Sequence, residues 1–303
     1  MREKINTIFY DLANQCKRFD NIEEQILLQL HNKPACVQTE TLVTEYEALH
    51  HHDYYEILYI VKGNVVYLLN EQIYNLKAGD LILIPPTSLH RLVSFDSNFS
   101  SRFILLFSSK FINKFSTPNT RLLKAFDNAK NNNNYKISIS DNIIPSLEKA
   151  LKQTSEIMLN DNYGMDLEYI SRFIKIIIIF NSISNEENNT YIPNNNIIVD
   201  KITEYINLNI ANKILIEDIA AYLALSISRV SHIFKEETGI SILKYINKKR
   251  MMLAKELVRQ GEPFINIAHK CGFQDYTSFF RSFKKEYNLT PGEYLKAVNL
   301  FQG

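Results

Sequence analysis

Cysteine is scarce in this chain of 303 residues: Cys16, Cys36 and Cys271 are odd in number, far apart and form no CxxC pair. Their spacing excludes a disulfide framework and a zinc knuckle, and leaves the thiols to apolar surroundings. Long hydrophobic runs are missing too. The longest, Phe173 to Phe180, is interrupted by Lys175 and falls far short of a bilayer span. The opening MREKINTIFYDLANQC puts charged and amide side chains where a secretory signal needs an apolar stretch. A cytoplasmic location with no membrane attachment is therefore expected. Catalytic signatures are absent as well: there is no G-x-S-x-G, no glycine-rich phosphate loop and no H-E-x-x-H. A one-signed charge is lacking, since the net charge is +1, although residues from Ile197 onward carry 15 Lys and Arg against 11 Asp and Glu. So small an excess does not by itself indicate nucleic acid.

What is present is a pattern that occurs twice. Ile216, Ile219, Ala220 and Leu223 fall at i, i+3, i+4, i+7, and Phe264, Ile267, Ala268 and Cys271 repeat that spacing 48 positions later. Each set predicts one apolar stripe on a short helix. A turn follows each (Ala224 to Ser226; Gly272 to Asp275), and then a second amphipathic helix. In the first of these, Val230, Ile233 and Phe234 point inward, leaving Ser228, Arg229, Ser231, His232 and Lys235 outside. In the second, Phe279 and Phe283 face the core, Tyr276, Thr277, Arg281 and Lys284 face outward, and Asp275 is the expected N-cap. Two helix-turn-helix units in tandem can read two successive major-groove segments of double-stranded DNA.

The segment Ile216 to Tyr294 resembles the DNA-binding domain of AraC/XylS-type bacterial transcription regulators. The matching text is IEDIAAYLALSISRVSHIFKEETGIS, YINKKRMMLAKELV and FINIAHKCGFQDYTSFFRSFKKEYNLTPGEY, with Gly239, Arg250, Ala254, Gly272, Phe273, Phe279, Phe283, Lys284, Thr290 and Pro291 at the motif's fixed points. One departure is Leu295, where an Arg often follows the Tyr294 position; a phosphate contact is lost with it. The resemblance implies that Ser228, Ser231 and His232 in the first unit, and Tyr276, Thr277 and Arg281 in the second, meet base edges, with Arg229, Lys235 and Lys284 on phosphates. Arg281 is the strongest candidate, because a guanidinium bonds a guanine edge twice, worth about 1–3 kcal/mol of discrimination. Phe280, outward by spacing, meets a thymine methyl or packs on the connecting helix. Lys244, Lys248, Lys249 and Arg250 would add counterion release. The resemblance also implies a homodimer and, for an activator, RNA polymerase as partner.

Two Asn-rich stretches divide the remainder: Asp127 to Asn134, expected to be a surface loop, and residues 185–196, expected to be an interdomain linker. Between them, Ile143 to Met158 and Leu167 to Ser184 read as helices. The latter carries Leu167, Ile170, Ile174, Ile177 and Ile178 at helical spacing, which suits packing on its own domain, a dimer interface, or both. Before residue 110, EILYIVKGN, VVYLLNEQIYNL, KAGDLILIPP and RFILLFSS are short apolar runs separated by turn signals, as in an antiparallel sandwich or barrel.

Within that region His50, His52 and Glu56 form H-x-H-x3-E, and His90 follows GDLILIPPTSLH. The arrangement is similar to the two motifs of the cupin jelly roll, whose three His and one Glu hold a divalent metal. Thr44, Thr87 and Ser94 depart from that pattern. The expectation is that no cofactor is required, that His50, His52, Glu56, His90, Arg91 and Tyr46 bind a small-molecule effector, and that His50, His52, Glu56 and His90 are the candidates should a metal be held. His51, between the other two, is expected to face solvent.

The whole is then α+β: residues 1–184 a cupin-like antiparallel β-barrel (jelly roll, about 35–110) plus helices (about 143–184), residues 185–196 a linker, and residues 197–303 an all-α tandem helix-turn-helix domain. The predicted function is a sequence-specific DNA-binding transcription regulator under effector control, not an enzyme. Its rivals are a metal-dependent cupin enzyme fused to a DNA-binding module and an effector-independent interaction module.

Overall fold

The computed structural model describes residues 30, 33–42, 49–70, 72–95, 99–158, 160, 162–184 and 197–302. The chain forms two compact units that divide between residues 194 and 195. The expected linker and Thr44 and Tyr46 lie outside the described residues. No helix among the described residues is long and apolar enough to cross a membrane.

The first unit is built on strands β1 (Ala35–Leu42), β2 (Tyr55–Lys62), β3 (Val65–Leu69), β4 (Gln72–Leu76), β5 (Asp80–Ile84), β6 (His90–Phe95), β7 (Phe99–Phe107) and β8 (Lys136–Ser138). They form two antiparallel sheets, β1-β7-β2-β5-β8 and β4-β3-β6. Pro85 stops β5 because proline has no donor for the ladder. The larger sheet is covered on both faces. Leu58, Ile60, Ile82 and Ile84 pack against Val65, Tyr67, Leu69, Tyr74 and Leu92 of the smaller sheet. Ile57, Tyr59, Leu81, Leu83, Phe103 and Leu105 pack on the other side against helices. Burial on both faces is why EILYIV reads as an unbroken apolar run instead of an alternation.

Those helices are α1 (Ser109–Asn113), α2 (Lys124–Asn131), α3 (Ile144–Ile157) and α4 (Met165–Ile183). Two expectations need correction here. Asp127 to Asn134 is not a loop: its first five residues finish α2, because Ala125, Phe126 and Ala129 are buried and hold the helix down while the asparagines stay wet. On α4 the buried stripe is Tyr169, Phe173, Ile176, Ile177, Phe180 and Ile183, whereas Leu167 and Ile178 are 69% and 42% exposed. A helix apolar on nearly every side has no unique stripe, and the bulkier aromatic face is the one that goes inside.

The second unit is all helix: α5 (Ile197–Leu208), α6 (Ile216–Leu223), α7 (Ile227–Thr238), α8 (Ile242–Arg259), α9 (Phe264–Lys270), α10 (Tyr276–Tyr287) and α11 (Pro291–Gln302). Helix α8 runs between two three-helix groups, α5-α6-α7 before it and α9-α10-α11 after it. Each group has its own apolar centre, the latter around Ile267, Ala268, Cys271, Phe279, Phe283 and Tyr294.

Candidate nucleic-acid interface and polar cluster

Both helix-turn-helix units form as the periodicity predicts. In the first, Ile219 and Ala220 are buried on α6, and the turn passes through Ala224 in the left-handed region (φ 53). Ser226 then caps α7 by accepting from Arg229 N at 3.2 Å. Val230, Ile233 and Phe234 are buried, and the Phe234 ring lies edge-on to Tyr245 at 5.4 Å. That leaves Ser228, Arg229, His232 and Lys235 exposed and Ser231 half-buried on the opposite ridge. His232 Nδ1 sits 3.3 Å from Glu236 Oε2 on the same ridge.

In the second unit Gly272 makes the turn at φ 72, and Asp275 caps α10, its carboxylate accepting from Ser278 N at 2.7 Å and from Ser278 Oγ at 2.8 Å. Phe279, Phe283 and Tyr287 turn inward with their rings edge-on or tilted, centroids 5.7 and 4.7 Å apart. Thr277, Arg281 and Lys284 are exposed, and Tyr276 and Phe280 are half-buried with their rings 5.9 Å apart. Phe280 thus leans on Tyr276 at the edge of the ridge. The ridge of α10 is therefore polar and cationic with an aromatic border, a surface suited to base edges and thymine methyls.

The basic cluster on α8 is smaller than its sequence suggests. Lys248 Nζ is paired with Glu286 Oε1 of α10, and Arg250 donates to the backbone carbonyls of Ile210 (3.2 Å) and Asn212 (2.6 Å). Lys244 is the exposed member and Lys249 is half-buried. Leu295, in the place of the family's arginine, packs against the core of the second unit. Sequence spacing could not show that Arg250 turns inward, because its partners lie 40 and 38 residues earlier.

In the first unit the three histidines converge. His50 bridges to His90 through paired backbone bonds (3.1 and 2.9 Å), and one nitrogen from each of His50, His52 and His90 lies within 4.8 Å of the others. Carbonyl oxygens can only accept, so His52 Nδ1 donates to Tyr54 O (2.9 Å) and His90 Nδ1 to Ser88 O (2.8 Å). Both Nε2 atoms are left facing Glu56 Oε2, at 2.9 Å for His52 and 3.7 Å for His90. Burial pushes the Glu56 carboxyl up, but the hydrogen bond from His52 and the surrounding imidazoles outweigh it and hold it at about 2. Burial keeps the His90 imidazole well below the usual histidine value. His90 Nε2 is then a buried lone pair with no hydrogen-bond partner among the described residues. The His52 Nε2–Glu56 Oε2 contact is of hydrogen-bond length, and three clustered imidazole nitrogens beside a carboxylate are a donor set that could hold a divalent cation.

Other members of the expected set behave differently. Arg91 is buried and its Nε donates to Leu92 O at 3.3 Å, so it does not present an open anion site. His51 is not solvent-facing: it is 8% exposed, because residues 51–54 are irregular and the two-residue alternation of a strand does not apply. Tyr54, which sequence reasoning passed over, stacks on His52 at 3.8 Å and supplies the carbonyl that fixes its tautomer. Thr87, at a position where the cupin motif has glycine, adopts φ 63 and donates its N–H to His52 O at 2.7 Å.

Comparison with known proteins agrees with both halves. Residues 36–118 match the model of an AraC-like ligand binding domain, and residues 219–297 match a helix-turn-helix domain. The chain is 25% identical over 248 residues to the HTH-type transcriptional activator RhaR of Mannheimia succiniciproducens, covering 81% of this chain and 86% of that one. It is 21% identical over 243 residues to the activator RhaS of Escherichia coli O81, covering 80% and 85%. Among solved structures, the C-terminal domain of the response regulator yesN of Fusobacterium nucleatum is 31% identical, covers 31% of this chain and 93% of that one, and has a TM-score of 0.30. ToxT of Vibrio cholerae O395 is 17% identical over 88% of this chain and 97% of that one, with a TM-score of 0.35.

Proposed function

We propose that this chain, which belongs to the AraC-type transcription regulators, binds double-stranded DNA through the ridges of α7 and α10 and is controlled by an effector bound among the sheets of its first unit. The observation that carries the reading is the duplicated pair of ridges, each exposed and each backed by a buried stripe, with Val230 and Phe234 repeated 49 positions later by Phe279 and Phe283. Ser228, Ser231, His232, Tyr276, Thr277 and Arg281 would meet bases; Arg229, Lys235 and Lys284 would meet phosphates. The protein acts in the cytoplasm without catalysing a reaction. The exposed Leu167 and Ile178 of α4 suit a homodimer, and RNA polymerase is the further partner if the chain activates. Effector binding changes DNA occupancy by its differential affinity for the two functional arrangements. Footprinting on genomic fragments at rising salt tests this: a salt-sensitive, sequence-selective footprint lost with Arg281→Ala supports it, and no footprint on any fragment refutes it.

At the effector site the buried His90 Nε2, which has no hydrogen-bond partner among the described residues, and the close His52–Glu56 approach favour a divalent cation over a purely neutral ligand. His50, His52 and His90, with Glu56 beside them, would hold it. When bound, such an ion supplies a Lewis-acidic point for a hydroxyl or carboxylate of a polar effector. The residues themselves do the remaining work: Tyr54 O and Ser88 O fix the tautomers, and Glu56 balances charge. Metal analysis of the purified chain, alone and with His50, His52 and His90 changed to Ala, decides the matter. Stoichiometric metal lost in the variant supports the cation; none in either leaves a polar organic effector bound by hydrogen bonds.

A further inference from the structure

Arg250 lies where three segments of the second unit meet. It projects from α8, the helix between the two reading units, and its guanidinium donates to Ile210 O and Asn212 O just beyond the end of α5. The last carbonyls of a helix lack partners within it and carry the negative end of its dipole, so a cation with two N–H groups suits that position. Helix α5 packs against α7, the first reading helix. On its other side the guanidinium lies over the Phe273 ring, 5.7 Å from the centroid, and Phe273 in turn packs edge-on to Phe279 of α10, the second reading helix.

Gly272 closes the arrangement. A Cβ placed there would stand 2.5 Å from Ile210 O and 2.6 Å from Arg250 Nη2, so the turn of the second helix-turn-helix rests directly on the backbone that leads into the first, with the arginine wedged alongside. The Lys248–Glu286 pair holds α10 to α8 as well, but it does not reach the first helix-turn-helix. The support of one reading helix and the entry to the other are therefore tied to the same guanidinium.

We propose that Arg250, seated against Gly272, is a positioning residue that fixes the relative orientation of the two reading helices and so sets the spacing of the two DNA half-sites the chain accepts. This rests on the DNA-binding reading above. Orientation matters because inserting one base pair turns one half-site by about 35° and moves it by about 3.4 Å relative to the other. A stiffly joined pair cannot follow that displacement; a loosened pair can.

The test has two arms. In the first, spin labels are placed at Glu236→Cys and Lys285→Cys, both exposed and one on each reading helix, in the full chain with Cys16→Ser, and their distance distribution is measured without DNA. Arg250→Lys keeps the charge but loses the fork that spans two carbonyls, and should broaden the distribution. In the second arm, full chain and variant select from a duplex library with two randomised blocks separated by fixed lengths. The parent should prefer one length by about tenfold over lengths one base pair away, and the variant by less than about threefold. A variant of lower melting temperature whose distance distribution and spacing preference match the parent's would overturn the proposal, since a merely structural arginine predicts that result. Should Arg250→Lys fail to fold, Gly272→Ala, which forces the turn off the Ile210 carbonyl, must shift or broaden the distribution or the proposal fails. If the parent selects no sequence at all, the DNA-binding reading falls, while the label distances still decide the role of Arg250.

Discussion

Gly272→Ala and Gly261→Ala make a matched pair that separates backbone strain from crowding. Both glycines lie in the second unit in the left-handed region, at φ 72 and φ 74. An added methyl at Gly261 meets nothing within 4 Å, whereas at Gly272 it meets a backbone carbonyl at 2.5 Å and the Arg250 guanidinium at 2.6 and 2.9 Å. The left-handed conformation costs alanine about 1–2 kcal/mol, partly offset by the stiffer unfolded chain, so Gly261→Ala should cost about 1 kcal/mol. Crowding against a carbonyl that cannot rotate away adds about 1–3 kcal/mol, bringing Gly272→Ala to about 2–4 kcal/mol. A built-in reporter is at hand, because Cys271 is fully buried and its thiol is pushed up to about 12 by burial, with Arg250 pulling it the other way. At pH 8 it can be alkylated only when the unit opens. Alkylation read by peptide mass spectrometry should accelerate about fivefold in Gly261→Ala and about 30- to 700-fold in Gly272→Ala, at about 1.4 kcal/mol per factor of ten. Cys36, buried in the first unit, should be unchanged in both. Equal acceleration in the two variants would refute the crowding argument and the close seating of Gly272 on Ile210.

Four further outcomes are expected. Arg281→Ala should cost about 1–3 kcal/mol on selected DNA and relax preference at one position, whereas Lys284→Ala should weaken binding to all sequences alike and lower the salt slope by about 0.9; binding isotherms at several salt concentrations separate the two. Ser226→Ala removes the cap of α7 and should cost about 1 kcal/mol at any pH, read by hydrogen exchange in α7. Asp275 behaves differently: bonds from the Ser278 backbone and then its side chain hold its carboxyl below the ordinary 3.8, so its contribution is present above about that pH and lost as the pH falls below it. Asp275→Asn should therefore flatten the acid limb of a melting-temperature profile, and a profile unchanged there would count against the cap. Thr87→Gly should stabilise the first unit by about 1 kcal/mol, because a β-branched residue at φ 63 stores strain, and slower alkylation of Cys36 is the measure.

The second unit was legible in the sequence because its helices are amphipathic and short: a stripe at i, i+3, i+4, i+7 has one buried solution, and Ile219, Ala220, Ile267 and Ala268 take it. Asp275 as a cap was legible for the same local reason. What was not legible depends on partners far along the chain. Strand β8 is three residues long and exists only because the edge of β5 accepts it. Helix α2 is Asn-rich and survives through three buried side chains that no window average detects. The histidine spacing was visible, but the carbonyls of Tyr54 and Ser88 that turn two Nε2 atoms toward Glu56 belong to irregular backbone, and His51 was misplaced for that reason. Arg250 looked like one more member of a basic cluster, and only its distant carbonyl partners reveal it as an internal tie.

The two reading helices are unequal, and that inequality gives the tie its importance. Helix α7 carries Arg229 and Lys235 against Glu236 and Glu237, so its electrostatic pull on a duplex is close to nil. Helix α10 carries Arg281, Lys284 and Lys285 against Glu286, whose charge is already held by Lys248. On the proposed reading, the stronger salt-dependent attraction is expected at the second helix-turn-helix, which should dock first and bring the first helix-turn-helix with it. The first helix-turn-helix should then bind as an intramolecular partner, at an effective concentration set by how narrowly its orientation is held. Loosening Arg250 should leave the docking of α10 intact and dilute Ser228, Ser231 and His232 over many orientations. Protection under the first unit should accordingly fade in Arg250→Lys while protection under the second persists; simultaneous loss of both would mean that the two units do not engage in that order.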